Sequence, residues 1–243
     1  MIVTEPLVYE DELGNAFEGT VSWDNGRSEP VPGVIVTSTF MGQSAFETQK
    51  AELLAELGYV GFAIDVYGQG KRASLPEEAG ALMAVLNEDR DLLASRMVLA
   101  LDTIRELPQV DASQIAAIGF CFGGKCVLDL ARTGAELKGV VSFHGIYDPP
   151  PMAGAKKITA AVLVLHGWED PLSPREQTVA LADELTHKGA DWQIHMYGHT
   201  GHAFTNPRAQ AKEDGMFFVA SAAERGWKAM ENFLLEKLSI IDD

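Results

Sequence analysis

The most informative stretch of this sequence is Ile118-Gly119-Phe120-Cys121-Phe122-Gly123-Gly124-Lys125. The apolar residues before it indicate a buried strand, and the residues after it have the pattern of a helix. A sharp turn from strand into helix forces the residue at its apex into a backbone conformation with positive φ. Glycine two residues before and two residues after the apex avoids a steric clash, and Gly119 and Gly123 occupy those positions around Cys121. The stretch therefore predicts a strand–turn–helix elbow with Cys121 at its apex.

On such an elbow, the side chain of Cys121 projects toward the carboxyl ends of the strands, where sheets of this kind bind ligands. The helix N-terminus beneath it favours an anionic sulfur, and the N–H of Phe122 points to where an oxyanion would form. These features predict a nucleophilic thiol. The alternative is an inert structural cysteine in a glycine-rich connection, which is common in proteins. Cys126 lacks this setting and is predicted to be structural.

Short apolar strands alternate with longer helical stretches from about residue 33 onward. This alternation predicts an α/β fold whose mostly parallel central sheet carries helices on both faces. Before it, Pro6–Tyr9 and Ala16–Trp23 flank a turn at Asp11–Asn15 and predict an antiparallel N-terminal edge hairpin. Because the sequence contains no internal repeat and no linker-like segment, residues 1–243 are predicted to form a single domain.

The apolar pattern also predicts the bounds of the later elements. The predicted strands are Val34–Ser38, Tyr59–Val66, Ile115–Ile118, Gly139–Phe143, Ala161–His166 and Trp192–Tyr197. The predicted helices are Ala45–Leu57, Leu82–Leu107, Gly123–Ala131, Glu176–His187 and Glu213–Leu238. The last helix carries apolar residues at spacings of three and four, which indicates a face packed on the core.

A cysteine nucleophile needs a base, and the base needs an acid that orients it. In α/β-hydrolases the acid and then the histidine follow the nucleophile along the chain. Asp170 lies in a loop after one late strand, with Glu169 beside it as a weaker candidate acid. His199 and His202 both lie in the loop after the next strand. The spacing predicts Asp170 as the acid and leaves either histidine as the base.

The pair His199-x-x-His202, taken with Cys121, has some similarity to a zinc site. No third or fourth ligand stands at a suitable spacing, so no metal is expected. His144 and His166 lie on strands or at strand ends, and they are expected to pack or to support the catalytic groups.

The chain has 35 acidic and 19 basic residues, which gives a net charge of −16. Such a surface repels phosphate backbones and anionic lipids, which argues against nucleic-acid and membrane partners.

No apolar run approaches the roughly 18 residues of a membrane span, and no secretory signal is visible at the N-terminus. The two cysteines, Cys121 and Cys126, cannot easily bridge within one helix, so two free thiols and a cytoplasmic location are expected.

Three segments together resemble the dienelactone hydrolase family, whose members have the α/β-hydrolase fold: Gly119-Phe-Cys-Phe-Gly-Gly124, Gly167-Trp-Glu-Asp170 and His202-Ala-Phe204. The resemblance extends from the N-terminal hairpin to the last helix. A cysteine elbow in place of the usual serine elbow makes it specific.

The resemblance implies a triad of Cys121 as nucleophile, Asp170 as acid and His202, in preference to His199, as base. It also implies that the backbone N–H of Phe40 joins that of Phe122 in the oxyanion hole. No metal or organic cofactor is implied.

Two positions depart from the family pattern. The family has a glutamate directly before the oxyanion-loop residue, where this chain has Thr39, which cannot accept a proton from the thiol. The family also has a substrate-binding arginine four residues after the catalytic histidine, where this chain has Asn206, with Arg208 two residues further on. Arg72 corresponds loosely to a second substrate arginine of the family.

The predicted function is therefore cleavage of a small ester or lactone, as in a carboxymethylenebutenolidase. Thr39, Tyr67 and Arg72 are expected at substrate-binding positions, and a neutral, fairly hydrophobic substrate is expected. Two alternatives remain: a thioesterase or acyltransferase with the same triad, and a binding or redox-responsive protein that has lost turnover. The oligomeric state is left open.

Overall fold

The computed structural model describes residues 1–151 and 157–238 and divides into two compact units. The first unit contains Met1–Ile118 and Leu238, and the second contains Gly119–Lys237. The prediction of a single domain over residues 1–243 stays a prediction, and it includes residues 152–156 and 239–243, which lie outside the described part.

The strands of the first unit are β1 (Ile2–Glu10), β2 (Ala16–Asp24), β3 (Val31–Thr37), β4 (Val60–Ala63) and most of β5 (Val110–Phe120). The first four follow the order β1-β2-β4-β3. β1 and β2 form the predicted antiparallel hairpin, β2 is antiparallel to β4, and β4 is parallel to β3. Every residue of β3 and β4 is buried, as their continuous apolar sequences require.

The helices of the first unit are α1 (Ala45–Glu56), α2 (Pro76–Glu88) and α3 (Arg90–Arg105). α1 begins with a capping box in which Ser44 and Glu47 satisfy each other's backbone N–H groups. α2 and α3 correct the prediction of one helix over Leu82–Leu107. The helix is interrupted at Asp89, whose φ of −117° and ψ of 86° are not helical. The side chain of Asp89 accepts a hydrogen bond from the N–H of Leu92 and so caps the start of α3.

The second unit contains α4 (Phe122–Arg132), β6 (Gly139–Phe143), β7 (Ala161–Gly167), α5 (Arg175–His187), β8 (Trp192–Tyr197) and α6 (Ala220–Lys237). Its strands β6, β7 and β8 are parallel neighbours in that order. β6 and β7 are fully buried, whereas β8 is partly exposed. The parallel register brings the loops after β7 and β8 to the same end of these strands.

The prediction that the last helix begins at Glu213 is wrong. Gln210–Ala211 and Met216–Phe217 pair as short antiparallel strands, β9 and β10, around a single 3-10 turn. Gly215 ends that turn with a φ of 72°, a left-handed conformation that stops helix growth. α6 therefore starts at Ala220, and its buried residues include Met230, Phe233 and Leu234, as the apolar pattern predicts.

Candidate active site

The elbow at Cys121 has the predicted local geometry. β5 ends at Phe120, α4 begins at Phe122, and Cys121 between them has a φ of 57° and a ψ of −116°. A non-glycine residue in this conformation is strained and persists only where its surroundings hold it. A Cβ atom on Gly119 would overlap the carbonyl of Gly123, so the turn requires glycine there. The thiol of Cys121 lies at this turn with intermediate exposure.

Asp170 and His202 form a buried pair in the second unit. Nδ1 of His202 lies 2.8 Å from Oδ2 of Asp170, and both side chains are almost completely buried. The second carboxylate oxygen, Oδ1, accepts a hydrogen bond of 2.8 Å from the N–H of Leu172. These contacts fix the carboxylate, and the carboxylate in turn fixes the orientation of the imidazole.

The charge of His202 is coupled to Cys121. Burial of the imidazole lowers its pKa, but the negative charge of a Cys121 thiolate and the hydrogen bond to Asp170 outweigh burial and raise the pKa of His202 to about 10. The other ring nitrogen, Nε2, is buried and makes no hydrogen bond of ordinary geometry to the described residues. His202 therefore favours the imidazolium form when the Cys121 sulfur is anionic.

The backbone of His202 is held by the segment that contains β9 and β10. Its N–H donates to the carbonyl of Gly215 at 2.7 Å, and its own carbonyl accepts from the N–H of Phe217 at 3.1 Å. Ala203, the next residue, has a φ of 58°. The apolar pattern of the sequence does not indicate these hydrogen bonds, because it predicts a helix from Glu213 onward. The glycine at 215 was the only local signal of a break.

The structure distinguishes the two histidines of this loop. His199 has a fully exposed side chain, and its Nδ1 lies 3.4 Å from Oε1 of Glu169. His202, by contrast, is buried against Asp170. The structure therefore brings His202 and Asp170 together, and it leaves His199 and Glu169 as a surface pair.

Two further histidines, His144 and His166, lie in the same unit. Nδ1 of His144 accepts a hydrogen bond of 3.2 Å from the N–H of Cys121, and Nδ1 of His166 lies 2.8 Å from the hydroxyl of Tyr147. Burial lowers the pKa of both imidazoles. Both therefore favour the neutral form, and the contact of His144 with the elbow is one that sequence reasoning did not find.

The other predicted site residues lie in the first unit. The Tyr67 hydroxyl donates to the carbonyl of Phe40 at 2.7 Å, which restrains the backbone at the predicted oxyanion position. The N–H of Thr39 donates to Oε1 of Glu47 at 3.2 Å. Glu47 is completely buried, and burial raises its pKa. The sequence marks Glu47 only as part of a helix cap, and nothing in it reveals the contact with Thr39.

Arg72 is occupied by contacts within the first unit. Its guanidinium donates to the carbonyl of Glu18 at 2.7 Å, to Oε1 of Gln43 at 2.9 Å and to the carbonyl of Lys71 at 3.0 Å. An ion pair to Asp65 at 3.4 Å adds to these contacts. Together they hold the loop around Arg72.

In the described residues, no cluster of three or more histidine, cysteine or acidic side chains has the arrangement of a metal site. Within the same residues, no helix combines the length and apolar character needed to cross a membrane.

Residues 17–238 match the model of the dienelactone hydrolase family. The chain belongs to this family. A solved structure called m3DLH is 36% identical to this chain, with a TM-score of 0.92 over 98% of this chain and 99% of that one. The predicted α/β-hydrolase fold, with mostly parallel strands, flanking helices and an antiparallel hairpin, is confirmed.

Two other relatives are similar to this dienelactone hydrolase family member. A dienelactone hydrolase-like promiscuous phosphotriesterase, P91, from metagenomic libraries is 34% identical, with a TM-score of 0.92 over 98% of this chain and 99% of that one. An uncharacterised protein of Caenorhabditis elegans is 32% identical over 147 residues, which cover 59% of this chain and 93% of that protein.

Proposed function

We propose that this protein hydrolyses a small ester or lactone through a covalent acyl-enzyme on Cys121, with His202 as general base and Asp170 as the acid that orients it. The observation that carries this proposal is the buried 2.8 Å hydrogen bond between His202 and Asp170, combined with the coupling of His202 to the Cys121 sulfur. Membership of the dienelactone hydrolase family supports the assignment to the hydrolases.

In the acylation step, the Cys121 thiolate attacks the carbonyl carbon of the substrate and forms a C–S bond. The electrons of the C=O bond move to oxygen, where the N–H of Phe122 stabilises the negative charge, and the family resemblance implies the N–H of Phe40 as the second donor. The intermediate then collapses, the bond to the leaving oxygen breaks, and the alkoxide takes the proton of the His202 imidazolium. In a lactone, the resulting hydroxyl stays attached to the acyl group.

Deacylation uses the same groups, but His202 now accepts a proton instead of donating one. Neutral His202 accepts a proton from water as the water oxygen attacks the thioester. The C–S bond breaks, the carboxylic acid is released, and Cys121 leaves as a thiolate paired with the His202 imidazolium. Asp170 stays ionised and stabilises that imidazolium. These steps need no metal or organic cofactor.

The proposed substrate is neutral and fairly hydrophobic. A carboxylated lactone needs cations that replace the hydration of its carboxylate, and Asn206 offers only a neutral amide. Arg72 already donates to protein oxygens, so its contacts favour a structural role. Thr39 and Tyr67 remain the residues proposed to line the substrate position.

Three related reactions use the same proposed groups. A thioester substrate, or an acceptor other than water in the second step, would make the protein a thioesterase or an acyltransferase. A neutral phosphotriester is a further candidate substrate, because the phosphotriesterase P91 is 34% identical over nearly the whole chain. The thiolate would then attack phosphorus and expel an aryl oxide.

The decisive experiment compares wild type, Cys121→Ala and Cys126→Ala on a panel of aryl esters, lactones, thioesters and an aryl dialkyl phosphate. Cys126 is completely buried in α4, so Cys126→Ala is the matched control for loss of a thiol. We expect hydrolysis in wild type and Cys126→Ala, and none in Cys121→Ala.

Activity retained by Cys121→Ala would overturn the proposed nucleophile. Labelling of Cys121 without multiple turnover on any substrate would favour a binding or redox-responsive protein instead. Neither Cys121 nor Cys126 forms a disulfide, which supports a reducing compartment such as the cytoplasm as the proposed location.

A further inference from the structure

His144, at the carboxyl end of β6, is bonded at both ring nitrogens. Nδ1 lies 3.2 Å from the backbone nitrogen of Cys121, which also donates to the carbonyl of Phe143 at 3.0 Å. Nε2 lies 2.8 Å from Oγ1 of Thr205. Since Thr205 follows His202 by three residues, one buried imidazole connects the nucleophile elbow to the loop of the proposed base.

These partners determine the protonation state of His144. A backbone N–H can only donate, so Nδ1 must be the acceptor, and the proton of the neutral ring must lie on Nε2. Nε2 then donates to the hydroxyl of Thr205. A second proton on Nδ1 would face the N–H of Cys121 and break this contact, so the geometry requires a neutral imidazole.

The surroundings of His144 keep it neutral. Its ring meets the ring of His202 edge-on at a centroid distance of 5.0 Å and that of Phe204 at 5.1 Å. The titratable groups that act on it electrostatically are His202 and His166. Burial, followed by repulsion from His202 and His166, holds the pKa of His144 well below its usual value. His144 can therefore lie against a protonated His202 without carrying a second positive charge.

The backbone of His144 also points to a specific requirement. Its φ of 37° is positive, a conformation that costs a non-glycine residue free energy. Glycine would adopt it without strain, and an apolar side chain would fill the same space. Neither glycine nor an apolar side chain would supply both a hydrogen-bond acceptor and a hydrogen-bond donor, as the two ring nitrogens of histidine do.

We propose that His144 is a positioning residue that holds the elbow of Cys121 and the His202 loop at the separation needed for the thiolate–imidazolium pair. It does so as acceptor for the Cys121 N–H and as donor to Thr205. This inference rests on the proposed function of Cys121 and His202, since it assigns His144 a role in their pairing.

The test measures the rate at which iodoacetamide alkylates Cys121 as a function of pH, because alkylation reports the thiolate without any substrate. Thr205→Val removes the hydroxyl that accepts from His144 and keeps the side-chain shape, whereas Thr205→Ser keeps the hydroxyl. Thr178→Val is the matched control, because the Thr178 hydroxyl is also buried and has no hydrogen-bond partner in the described residues. His144→Asn keeps an acceptor near the elbow but cannot reach Thr205.

We expect Thr205→Val and His144→Asn to alkylate at least about tenfold more slowly at pH 7, with the rise in rate moved to higher pH. Thr205→Ser and Thr178→Val should match wild type. In steady-state kinetics, kcat should fall while KM changes less than about twofold, since the ground-state contacts to substrate are unaltered.

A wild-type pH profile in both Thr205→Val and His144→Asn would overturn the proposal, even if both variants melt at lower temperature. Should His144→Asn fail to fold, the comparison of Thr205→Val with Thr205→Ser still decides. Failure of the proposed function appears differently, as turnover retained by Cys121→Ala, and the alkylation profile of wild-type Cys121 can still be measured in that case.

Discussion

The two cysteines, Cys121 and Cys126, lie in different surroundings. Cys121 has intermediate exposure on a strained turn and is coupled to His202, whereas Cys126 is completely buried in α4. We expect iodoacetamide to label Cys121 at pH 7 at least about a hundredfold faster than Cys126, because the thiolate is the reacting form. Peptide mass spectrometry after timed quenching measures both rates. Equal labelling would contradict the assignment of Cys121 as nucleophile.

The histidines of the loop after β8 allow a paired substitution. His202→Ala removes the proposed base and should lower kcat by at least about 10²-fold. His199→Ala changes a fully exposed side chain three residues away and should leave kcat near that of wild type. Steady-state hydrolysis of a neutral aryl ester compares them. A crippled His199→Ala beside an active His202→Ala would reverse the assignment of the base.

The raised pKa of His202 also predicts how stability depends on pH. A histidine whose pKa is near 6.5 when unfolded and about 10 when folded stabilises the native state fully below pH 6.5. That contribution is lost as pH rises toward 10. We expect the free energy of unfolding in urea to fall more steeply between pH 7 and 10 in wild type than in Cys121→Ala, which lacks the thiolate that attracts the imidazolium. Identical slopes would contradict the coupling.

The β5–α4 elbow leaves no room for a side chain at Gly119. In Gly119→Ala, the new Cβ would overlap the carbonyl of Gly123, so the strand end or the helix start must shift. We expect a loss of about 1–3 kcal/mol in the free energy of unfolding and a drop in Cys121 alkylation. Chemical denaturation and labelling measure the two effects.

Gly80 is the matched control for that substitution. It lies within α2, and a Cβ atom there would meet no atom within 4 Å. Gly80→Ala should therefore stabilise the protein by about 0.5–1 kcal/mol, because alanine has less conformational freedom to lose on folding. If the two alanine variants had equal stability, the elbow would not be under the steric constraint described.

The α2–α3 break shows how a cap outweighs an apolar pattern. Helical periodicity continues from Leu82 to Leu107, but the side chain of Asp89 accepts from the N–H of Leu92 and starts a new helix. Asp89→Ala should cost about 1 kcal/mol in the free energy of unfolding. Unfolding in urea measures it, with Asp91→Ala, two residues later in the first turn of α3, as the comparison. An equal loss in both variants would argue against a capping role.

For the whole molecule, the net charge and the hydrogen bonds of Arg72 to protein oxygens both disfavour an anionic substrate. A charge of −16 repels anionic substrates, and this repulsion weakens as salt screens it. We expect a neutral hydrophobic ester or lactone to have a higher kcat/KM than a carboxylated lactone of similar size, with a smaller gap at high ionic strength. Steady-state kinetics on such a matched pair, at low and high salt, measures both effects.

Arg208→Ala and Arg72→Ala serve as controls for that comparison. Arg208 is exposed, and Arg72 donates to protein oxygens, so neither variant should change the preference for the neutral substrate. A preference for the anionic lactone that disappears in either variant would instead identify that arginine as a carboxylate ligand.

Much of this architecture follows from local sequence. The strands β6 and β8 have the predicted bounds. A short run of continuous or alternating apolar residues is typical of a buried or half-buried strand, so the sequence indicates such strands directly. The elbow is equally local, since the steric demand of the turn at Cys121 is met by glycines two residues away on either side. The order of an acid loop followed by a histidine loop was also readable along the chain.

The choices within those loops were decided by tertiary structure. Asp170 and His202 are 32 residues apart, and they meet because parallel pairing of β7 with β8 aligns Gly167 with Tyr197. Spacing alone could not separate His202 from His199, since both lie in the same loop. The hydrogen bonds of His144 and the β9–β10 support of His202 are likewise absent from any local pattern. Local conformation depends on neighbouring residues, whereas a contact between distant side chains depends on strand register, which only the folded chain establishes.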